Sequence, residues 1–260
     1  MSSGTLRIER DGPIGYVVLA NPARRNAISA SMWHAFPRVI AELSEDASIR
    51  CIVLRGEGDI AFAAGADISE FANNRASDDG VRSYEAATAA AHDALENTPK
   101  PVIAQIRGFC IGGGLAVALS CDLRYCAADS QFAIPAARLG LGYGIHGHRR
   151  LVATIGHANA REVMFSARRY DADSAQQLGL VNRVLPVADL DSYVRALALD
   201  LAANAPLTQA ASKAAINAAI AEHGDYEQCA AMITRCMQSA DYREGRTAFM
   251  EKRKPKFEGH

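Results

Sequence analysis

The sequence predicts an α/β protein with a parallel strand core followed by a helical region. In the first half, short apolar runs of strand length alternate with helical segments, a pattern that favours parallel pairing. From about residue 158, alanine-rich helical segments follow one another with no linker between them. The predicted organisation is a core over residues 1–200 and a helical region over residues 201–260 that is suited to packing against another subunit.

Apolar runs that end at glycine or proline predict the strands. Residues 6–21 indicate two strands around the turn Asp11-Gly12-Pro13. Further strands are predicted over residues 51–58, 101–108, 123–129 and 131–134.

Helical periodicity and capping residues predict the helices. The first covers residues 29–43, with Ser29 as its N-cap and Pro37 as a reason for a kink or a break. Later helices are predicted near residues 80–97 and 113–120, and over 188–205, 206–223 and 225–240.

Composition excludes several classes of protein. The 28 basic and 29 acidic residues leave a net charge of −1, which argues against a nucleic-acid binder. No apolar run is long enough for a membrane span, and the first residues lack the apolar core of a secretion signal, so a cytoplasmic location is expected. The 6 cysteines show no paired zinc spacing, and we expect buried, reduced thiols.

Two glycine-rich stretches are candidates for chemistry. In residues 61–71 a strand runs into a turn at Gly65, and Asp67 and Glu70 stand at the spacing of a capping box. In residues 107–122 a strand ends, three glycines follow, and an apolar helix begins, so free N–H groups face a helix N-terminus. If the two loops meet, they form an oxyanion hole; the alternative is that the glycines only allow close packing.

A third glycine pattern does not indicate a binding site. Residues 142–147 match G-x-G-x-x-G, but no strand leads directly into them, so they are not interpreted as a dinucleotide site. No phosphate-binding P-loop pattern occurs, and no cofactor is predicted.

Four segments in order resemble the crotonase (enoyl-CoA hydratase/isomerase) superfamily. They are "FAAGADI", "GFCIGGGLAVALSCD", "SAQQLGLVNRVLP" and "EGRTAFMEKRKPKF". The resemblance runs from Asn21 to Phe257 and implies a crotonase-like spiral of repeated ββα units, with C-terminal helices that build a homotrimer or homohexamer. It also implies an acyl-CoA thioester as the substrate or ligand.

The same resemblance implies the site residues. The backbone N–H groups of Ala66 and Gly113 would hold the thioester oxygen and stabilise an enolate. The implied positions that contact coenzyme A are Arg25, Ala64, Ala66, Asp67, Ile68, Gly112, Gly113, Phe249 and Lys252. Phe249 and Lys252 would act from a neighbouring subunit.

The chain departs from the family where hydratases carry two glutamates. The matching positions are Ala116 and Ala136, and residues 131–160 contain no acidic residue. One general acid or base contributes about 10²–10⁴-fold, so losing two predicts roughly 10⁴-fold or more lost in hydration.

Tyr143, His146 and His148 are the candidates to replace them, since each can donate or accept a proton or hydrogen bond. The segment "LGLGYGIHG" resembles a loop of superfamily members that decarboxylate methylmalonyl-CoA, in which a matching tyrosine contacts the substrate carboxylate. Those members carry histidine where this chain has Ala66. Alternatively, His146 and His148 only cap or pack against a helix, or lie in its solvated first turn.

Three functions stay open at this point. The first is an acyl-CoA enzyme that performs a lyase, decarboxylase or isomerase reaction. The second is an acyl-CoA carrier without catalysis, and the third is a hydratase that uses His146 or His148.

Asp122 and the remaining histidines are expected to be structural or exposed; the latter are His34, His92, His157, His223 and His260.

Overall fold

The computed structural model of the chain describes residues 4–67, 70, 77–221 and 223–260. The strands are β1 (Thr5–Asp11), β2 (Ile14–Ala20), β3 (Cys51–Gly56), β4 (Ala61–Ala63), β5 (Val102–Ile106), β6 (Phe109–Ile111), β7 (Leu123–Ala127), β8 (Gln131–Ala133), β9 (Tyr170–Asp171) and β10 (Arg183–Leu185). The helices are α1 (Ala30–Glu45), α2 (Asp78–Asn97), α3 (Gly113–Leu119), α4 (Ile145–Ser166), α5 (Ala172–Leu178), α6 (Leu190–Ala202), α7 (Pro206–Ile220), α8 (Tyr226–Gln238) and α9 (Ala240–Glu251). Short 3₁₀ turns cover Pro22–Arg24 and Pro135–Arg138.

Two sheets form the core, and the chain alternates between them. The larger sheet has the order β1-β2-β3-β5-β7-β10, and the smaller has the order β4-β6-β8-β9. Only β1 with β2 and β8 with β9 are antiparallel; the other neighbours are parallel. Each of three repeats gives one strand to each sheet and then a helix, which confirms the predicted spiral of ββα units.

Alternate residues of the central strands face two apolar layers. On β3, Ile52 and Leu54 join the main core, while Cys51 and Val53 face the layer covered by α6. This follows from the two-residue period of a strand, and it explains why the run is apolar throughout. The helix α6, through Leu190, Val194 and Ala198, covers the outer face of the larger sheet.

The first helix corrects one expectation from the sequence. Ser29 caps it as predicted, since its side chain accepts a hydrogen bond from the Met32 N–H at 3.3 Å. Of the kink or break expected at Pro37, the break does not occur, because one helix runs from Ala30 to Glu45. A proline inside a helix costs about 3 kcal/mol. The buried side chains of this helix, Trp33 and Phe36 among them, offset that cost by packing into the main core.

Candidate functional site

The first glycine-rich turn holds Ala66 in a short parallel bridge. The Ile28 N–H donates to the Gly65 carbonyl at 2.8 Å, and the Asp67 N–H donates to the Ile28 carbonyl at 2.9 Å. Because these two bonds use the residues on either side of Ala66, its own N–H faces away from Ile28. Gly65 has a φ of 114°, a conformation that L side chains rarely adopt.

The second turn starts the buried helix α3. Gly112 has a φ of 52°, and its N–H donates to the Ala133 carbonyl at 2.8 Å. Gly113 is the first residue of α3, so no preceding helical turn supplies an acceptor for its N–H. At Gly114 a β-carbon would overlap the backbone of Ala63, so glycine is required for α3 to lie against β4.

These two turns meet. A β-carbon placed on Gly113 would lie 3.3 Å from the Ala66 backbone nitrogen. Among the described residues, neither the Ala66 nor the Gly113 N–H has a hydrogen-bond acceptor. Two free donors beside the N-terminus of a helix form a site that can stabilise a negative oxygen.

The expected contacts with coenzyme A fall into two groups. Arg25 and Ala64 lie next to the oxyanion turn, since the Ala64 N–H donates to the Arg25 carbonyl at 3.0 Å. The Arg25 guanidinium lies 5.2 Å from the centre of the Phe109 ring. Asp67 is buried and accepts a hydrogen bond from Arg24 at 2.8 Å. Ile68 lies outside the described residues.

Phe249 and Lys252 are elsewhere in the single chain. Phe249 lines a groove between α7, α8 and α9 that no residue of the Ala66 turn lines. Lys252 ends α9 with a left-handed φ of 57° and is exposed. Their contact with the thioester from a neighbouring subunit stays an expectation from the resemblance.

The helix that the predicted capping box at Asp67 and Glu70 would begin falls on residues outside the described part of the chain. The Asp67 N–H donates to the Ile28 carbonyl, and the Glu70 carboxylate accepts from the Ala30 N–H at 2.7 Å. Glu70 therefore helps to satisfy the N-terminus of α1.

Both alanines at the family's glutamate positions are buried. Ala136 lies in the turn Pro135–Arg138, and its carbonyl accepts from the N–H groups of Leu139 and Leu141, each at 3.0 Å. Ala116 lies one helical turn from Gly113 and lines a cavity of about 20 Å³. Three helix faces form this cavity: Ala89, His92, Asp93 and Glu96 of α2; Ala116, Leu119 and Ser120 at α3; His146, Gly147 and Arg150 of α4.

The cavity contains acidic residues that the segment around Ala136 lacks. Glu96 and Arg150 form an ion pair, and one carboxylate oxygen of Glu96, Oε1, is buried with no hydrogen-bond partner among the described residues. Asp93 also lines the cavity. The helix α2 thus supplies carboxylates to the neighbourhood of Ala116, although neither comes from the sequence positions where the family carries its glutamates.

His92 is a cavity residue that sequence reasoning assigned to a structural or exposed place. Its Nδ1 lies 2.9 Å from the Ser120 hydroxyl, and its ring packs 5.7 Å from the Trp33 ring. Burial, with the charges of Arg150 and His146, lowers the pKa of His92 to about 4, so the ring is neutral at pH 7. Helical spacing in the sequence could have grouped His92 with the other cavity residues of α2. Ala89, His92, Asp93 and Glu96 occupy one face of the predicted helix.

Tyr143, His146 and His148 occupy three different positions. Tyr143 packs against the main core, and its hydroxyl is buried with no partner in the described part of the chain. Burial and the nearby Cys110 raise the pKa of Tyr143, so the phenol stays protonated and can donate a hydrogen bond. His146 is exposed at the rim of the cavity.

His148 interacts mainly with its own helix start. Its Nδ1 lies 3.0 Å from the Gly144 carbonyl, and its ring meets the Tyr143 ring edge-on at 5.4 Å. These contacts match the capping and packing alternative, and they place His148 beside Tyr143 rather than among the residues that line the cavity.

Asp122 has the predicted structural role. Its carboxylate accepts from the Val102 N–H at 2.7 Å and from the Lys213 ammonium at 2.9 Å. Burial raises the pKa of Asp122, while Lys213 opposes that shift. All six cysteines are free, and all but Cys236 are buried.

The described residues contain neither a cluster of metal-binding side chains nor a membrane-spanning helix. No group of three or more histidine, cysteine, aspartate or glutamate side chains within them could hold a metal ion. None of the described helices is both long and apolar enough to cross a membrane.

Known proteins resemble the chain over nearly its whole length. The family model described as enoyl-CoA hydratase/isomerase matches residues 9–260. A short-chain-enoyl-CoA hydratase of Clostridium acetobutylicum is 31% identical over 98% of this chain and 97% of its own. A mitochondrial Delta(3,5)-Delta(2,4)-dienoyl-CoA isomerase of Dictyostelium discoideum is 32% identical over 97% and 90%.

The fold agrees with these relatives. The crystal structure of an enoyl-CoA hydratase/carnithine racemase from Magnetospirillum magneticum superposes with a TM-score of 0.93 and 36% identity. The superposition covers 98% of this chain and 96% of that one. The chain therefore belongs to the enoyl-CoA hydratase/isomerase family, within the crotonase superfamily.

Proposed function

We propose that the protein is an acyl-CoA enzyme that stabilises a thioester enolate and carries out a decarboxylation or a related lyase or isomerase reaction rather than plain hydration. The observation that carries this proposal is the pair of free N–H groups on Ala66 and Gly113, together with alanine at positions 116 and 136. The site retains the donors for an enolate oxygen and lacks the family's two carboxylates for water.

Decarboxylation suits such a site because it needs no base. The bond between the α-carbon and the carboxylate breaks, carbon dioxide leaves, and the electron pair forms an enolate whose oxygen accepts from Ala66 and Gly113. A proton then adds to the α-carbon. One oxyanion donor contributes about 2.7–4 kcal/mol, so the hole alone can supply much of the required stabilisation.

The proposed role of the Tyr143 hydroxyl is to donate a hydrogen bond to the substrate carboxylate or to supply the proton that adds to the α-carbon. Its hydroxyl is a protonated donor with no acceptor among the described residues. A buried hydroxyl without a partner costs about 1–3 kcal/mol, and a ligand oxygen would remove that cost. His146, at the cavity rim, is the second candidate to move a proton.

The test is mass spectrometry of the thioesters after separate incubations with methylmalonyl-CoA, malonyl-CoA and crotonyl-CoA. We expect loss of carbon dioxide from a carboxylated thioester and little change in crotonyl-CoA. Tyr143→Phe should lower turnover about ten-fold or more, with a smaller effect on binding, because a hydrogen bond that strengthens in the transition state is lost. Binding of all three thioesters without any product would instead favour the carrier.

Hydration is the second candidate, and one observation favours it. His146 lines the same cavity as Ala116, so a side chain with acid–base capacity lies near the missing glutamate. The relative from Clostridium acetobutylicum is also named as a hydratase. Addition of water to crotonyl-CoA at the rate of an efficient enzyme, abolished by His146→Ala, would establish this candidate and contradict the first.

A further inference from the structure

Two cavities share one wall. The small cavity beside Ala116 has a volume of about 20 Å³. A groove of about 500 Å³ lies between the end of α2, the start of α4, and helices α7 and α8. Asp93, Glu96 and Arg150 line both spaces, so these side chains separate them.

The wall consists mainly of a buried ion pair. Glu96 is 8% exposed, and the guanidinium of Arg150 contacts its Oε2 atom. Since α2 supplies one partner and α4 the other, the contact bridges two helices. Removing one partner would leave an uncompensated buried charge, so a single substitution of either residue would destabilise the fold.

The helix α3 connects the oxyanion hole to this wall, because Ala116, which lines the small cavity, lies one helical turn after Gly113. With the thioester oxygen on Ala66 and Gly113, a chain that followed α3 would pass Ala116 and then reach Leu119 and Ser120. These residues succeed one another at helical spacing on one face of α3. The space beside them holds about one water-sized group, so it leaves little room for a long chain.

We propose that the Glu96–Arg150 pair is the end wall of the acyl pocket and limits the substrate to short acyl groups. This inference rests on the proposed acyl-CoA function and deepens it by naming the substrate class as short-chain thioesters. Beyond the wall, the groove is lined by polar groups such as Lys213, Asn217 and Asp225. An acyl chain that crossed the wall would enter this groove.

Two matched double variants test the wall. Glu96→Ala with Arg150→Ala removes both charges and most of the wall, whereas Glu96→Leu with Arg150→Leu removes both charges and keeps side chains of substantial volume. Both avoid leaving one charge unpaired. Arg149→Ala is the control, since Arg149 lines the groove and not the small cavity.

The measurement is the dissociation constant of saturated acyl-CoA thioesters from acetyl to dodecanoyl, and of free coenzyme A, by titration calorimetry. We expect the wild type to bind octanoyl-CoA at least about ten-fold more weakly than butyryl-CoA, a difference of about 1.4 kcal/mol. The alanine pair should abolish that difference, and the leucine pair and Arg149→Ala should preserve it.

Three results separate the possible failures. Equal binding of butyryl-CoA and dodecanoyl-CoA by the wild type would overturn the wall without any variant. An unchanged chain-length profile in a folded alanine pair would also overturn it. Absence of binding by free coenzyme A and by every thioester would instead contradict the proposed acyl-CoA function.

Discussion

At the scale of single residues, the site is characterised by two buried alanines, Ala116 and Ala136. The polar groups near Ala116 come mainly from α2 and α4. His92, Glu96 and Arg150 are the three such groups that are at least partly buried. Burial, with the charges of Arg150 and His146, lowers the pKa of His92, and burial, opposed by Asp93, lowers the pKa of Arg150 to about 10.

His92 carries a prediction for the pH dependence of stability. Its pKa is lowered to about 4 in the folded chain from 6.5, so the unfolded chain binds a proton first as the pH falls. The contribution of His92 to the free energy of unfolding is therefore fully present above pH 6.5 and is lost as the pH falls toward 4. The loss is up to about 3 kcal/mol.

The measurement is denaturant unfolding of the wild type and of His92→Gln between pH 7 and pH 4. The variant should show a smaller decline over this interval, since glutamine does not titrate. Arg150, His146, Asp93 and Glu96 line the same cavity and are present in both proteins, so the difference between the two declines reports His92 together with its coupling to these groups. Parallel declines in the two proteins would contradict the assignment of the shift to His92.

At the scale of secondary-structure elements, the short buried helix α3 connects the fold to the site. Residues 114–119 of this helix are all buried, so its position is determined by packing on every side. Its N-terminus places Gly113 beside the Ala66 turn, and its next turn places Ala116 at the cavity. Consecutive glycines in this helix therefore have different roles.

Gly113→Ala and Gly114→Ala should separate these roles. At Gly113 the new methyl group would lie 3.3 Å from the Ala66 nitrogen, so the fold should survive while the oxyanion hole is blocked. We expect kcat to fall about 10²–10³-fold in that variant. At Gly114 the methyl group would overlap the Ala63 backbone, so unfolding should occur at a lower temperature.

Each variant serves as the control for the other. Circular dichroism melting and turnover are measured on both proteins under the same conditions. Full activity in Gly113→Ala would contradict the role of the oxyanion hole in the proposed mechanism. A Gly114→Ala protein as stable as the wild type would mean that α3 does not require close contact with β4.

At the scale of the whole molecule, the C-terminal helices expose an apolar groove. It has a volume of about 700 Å³ and is formed by α7, α8, α9 and Phe257. Phe249 in this groove is 82% exposed, and Met237 and Tyr242 beside it are also exposed. A large exposed apolar surface of this kind is typical of a protein–protein contact.

We expect the chain to associate with copies of itself through this groove, as a trimer or hexamer. Phe249→Glu should shift the mass measured by sedimentation velocity toward that of a monomer, because a buried, unpaired carboxylate would oppose association. Phe165→Glu is the matched control, since Phe165 is 77% exposed on α4 and does not line the groove. A monomeric wild type would contradict this prediction.

Association also affects the expected role of Phe249 and Lys252, the two positions at which the family resemblance implies coenzyme A contacts from a neighbouring subunit. Phe249 and Lys252 do not lie with the Ala66 turn in the single chain. If they contact the thioester, they do so from a neighbouring subunit. Loss of coenzyme A affinity in Phe249→Glu, together with loss of association, would support that arrangement.

Local pattern predicted much of the fold. The first two strands, the turn at Asp11-Gly12-Pro13 and the Ser29 cap are where the sequence places them, because each depends on neighbouring residues. At Pro37, where the sequence favoured a kink or a break, no break occurs. Residues distant in sequence supplied packing that outweighed the local preference of the proline.

The sequence by itself determined the positions of the two glycine turns, the alanines at positions 116 and 136, and the resemblance that implied the family and its ββα repeat. These properties depend on residue identity and short-range spacing. Only the tertiary structure decided that Ala66 and Gly113 adjoin, that the Tyr143 hydroxyl is buried with no partner among the described residues, and that His92 and Glu96 lie beside Ala116. These contacts join segments that are far apart in the chain, so they exist only after the two sheets and the helices between them have packed.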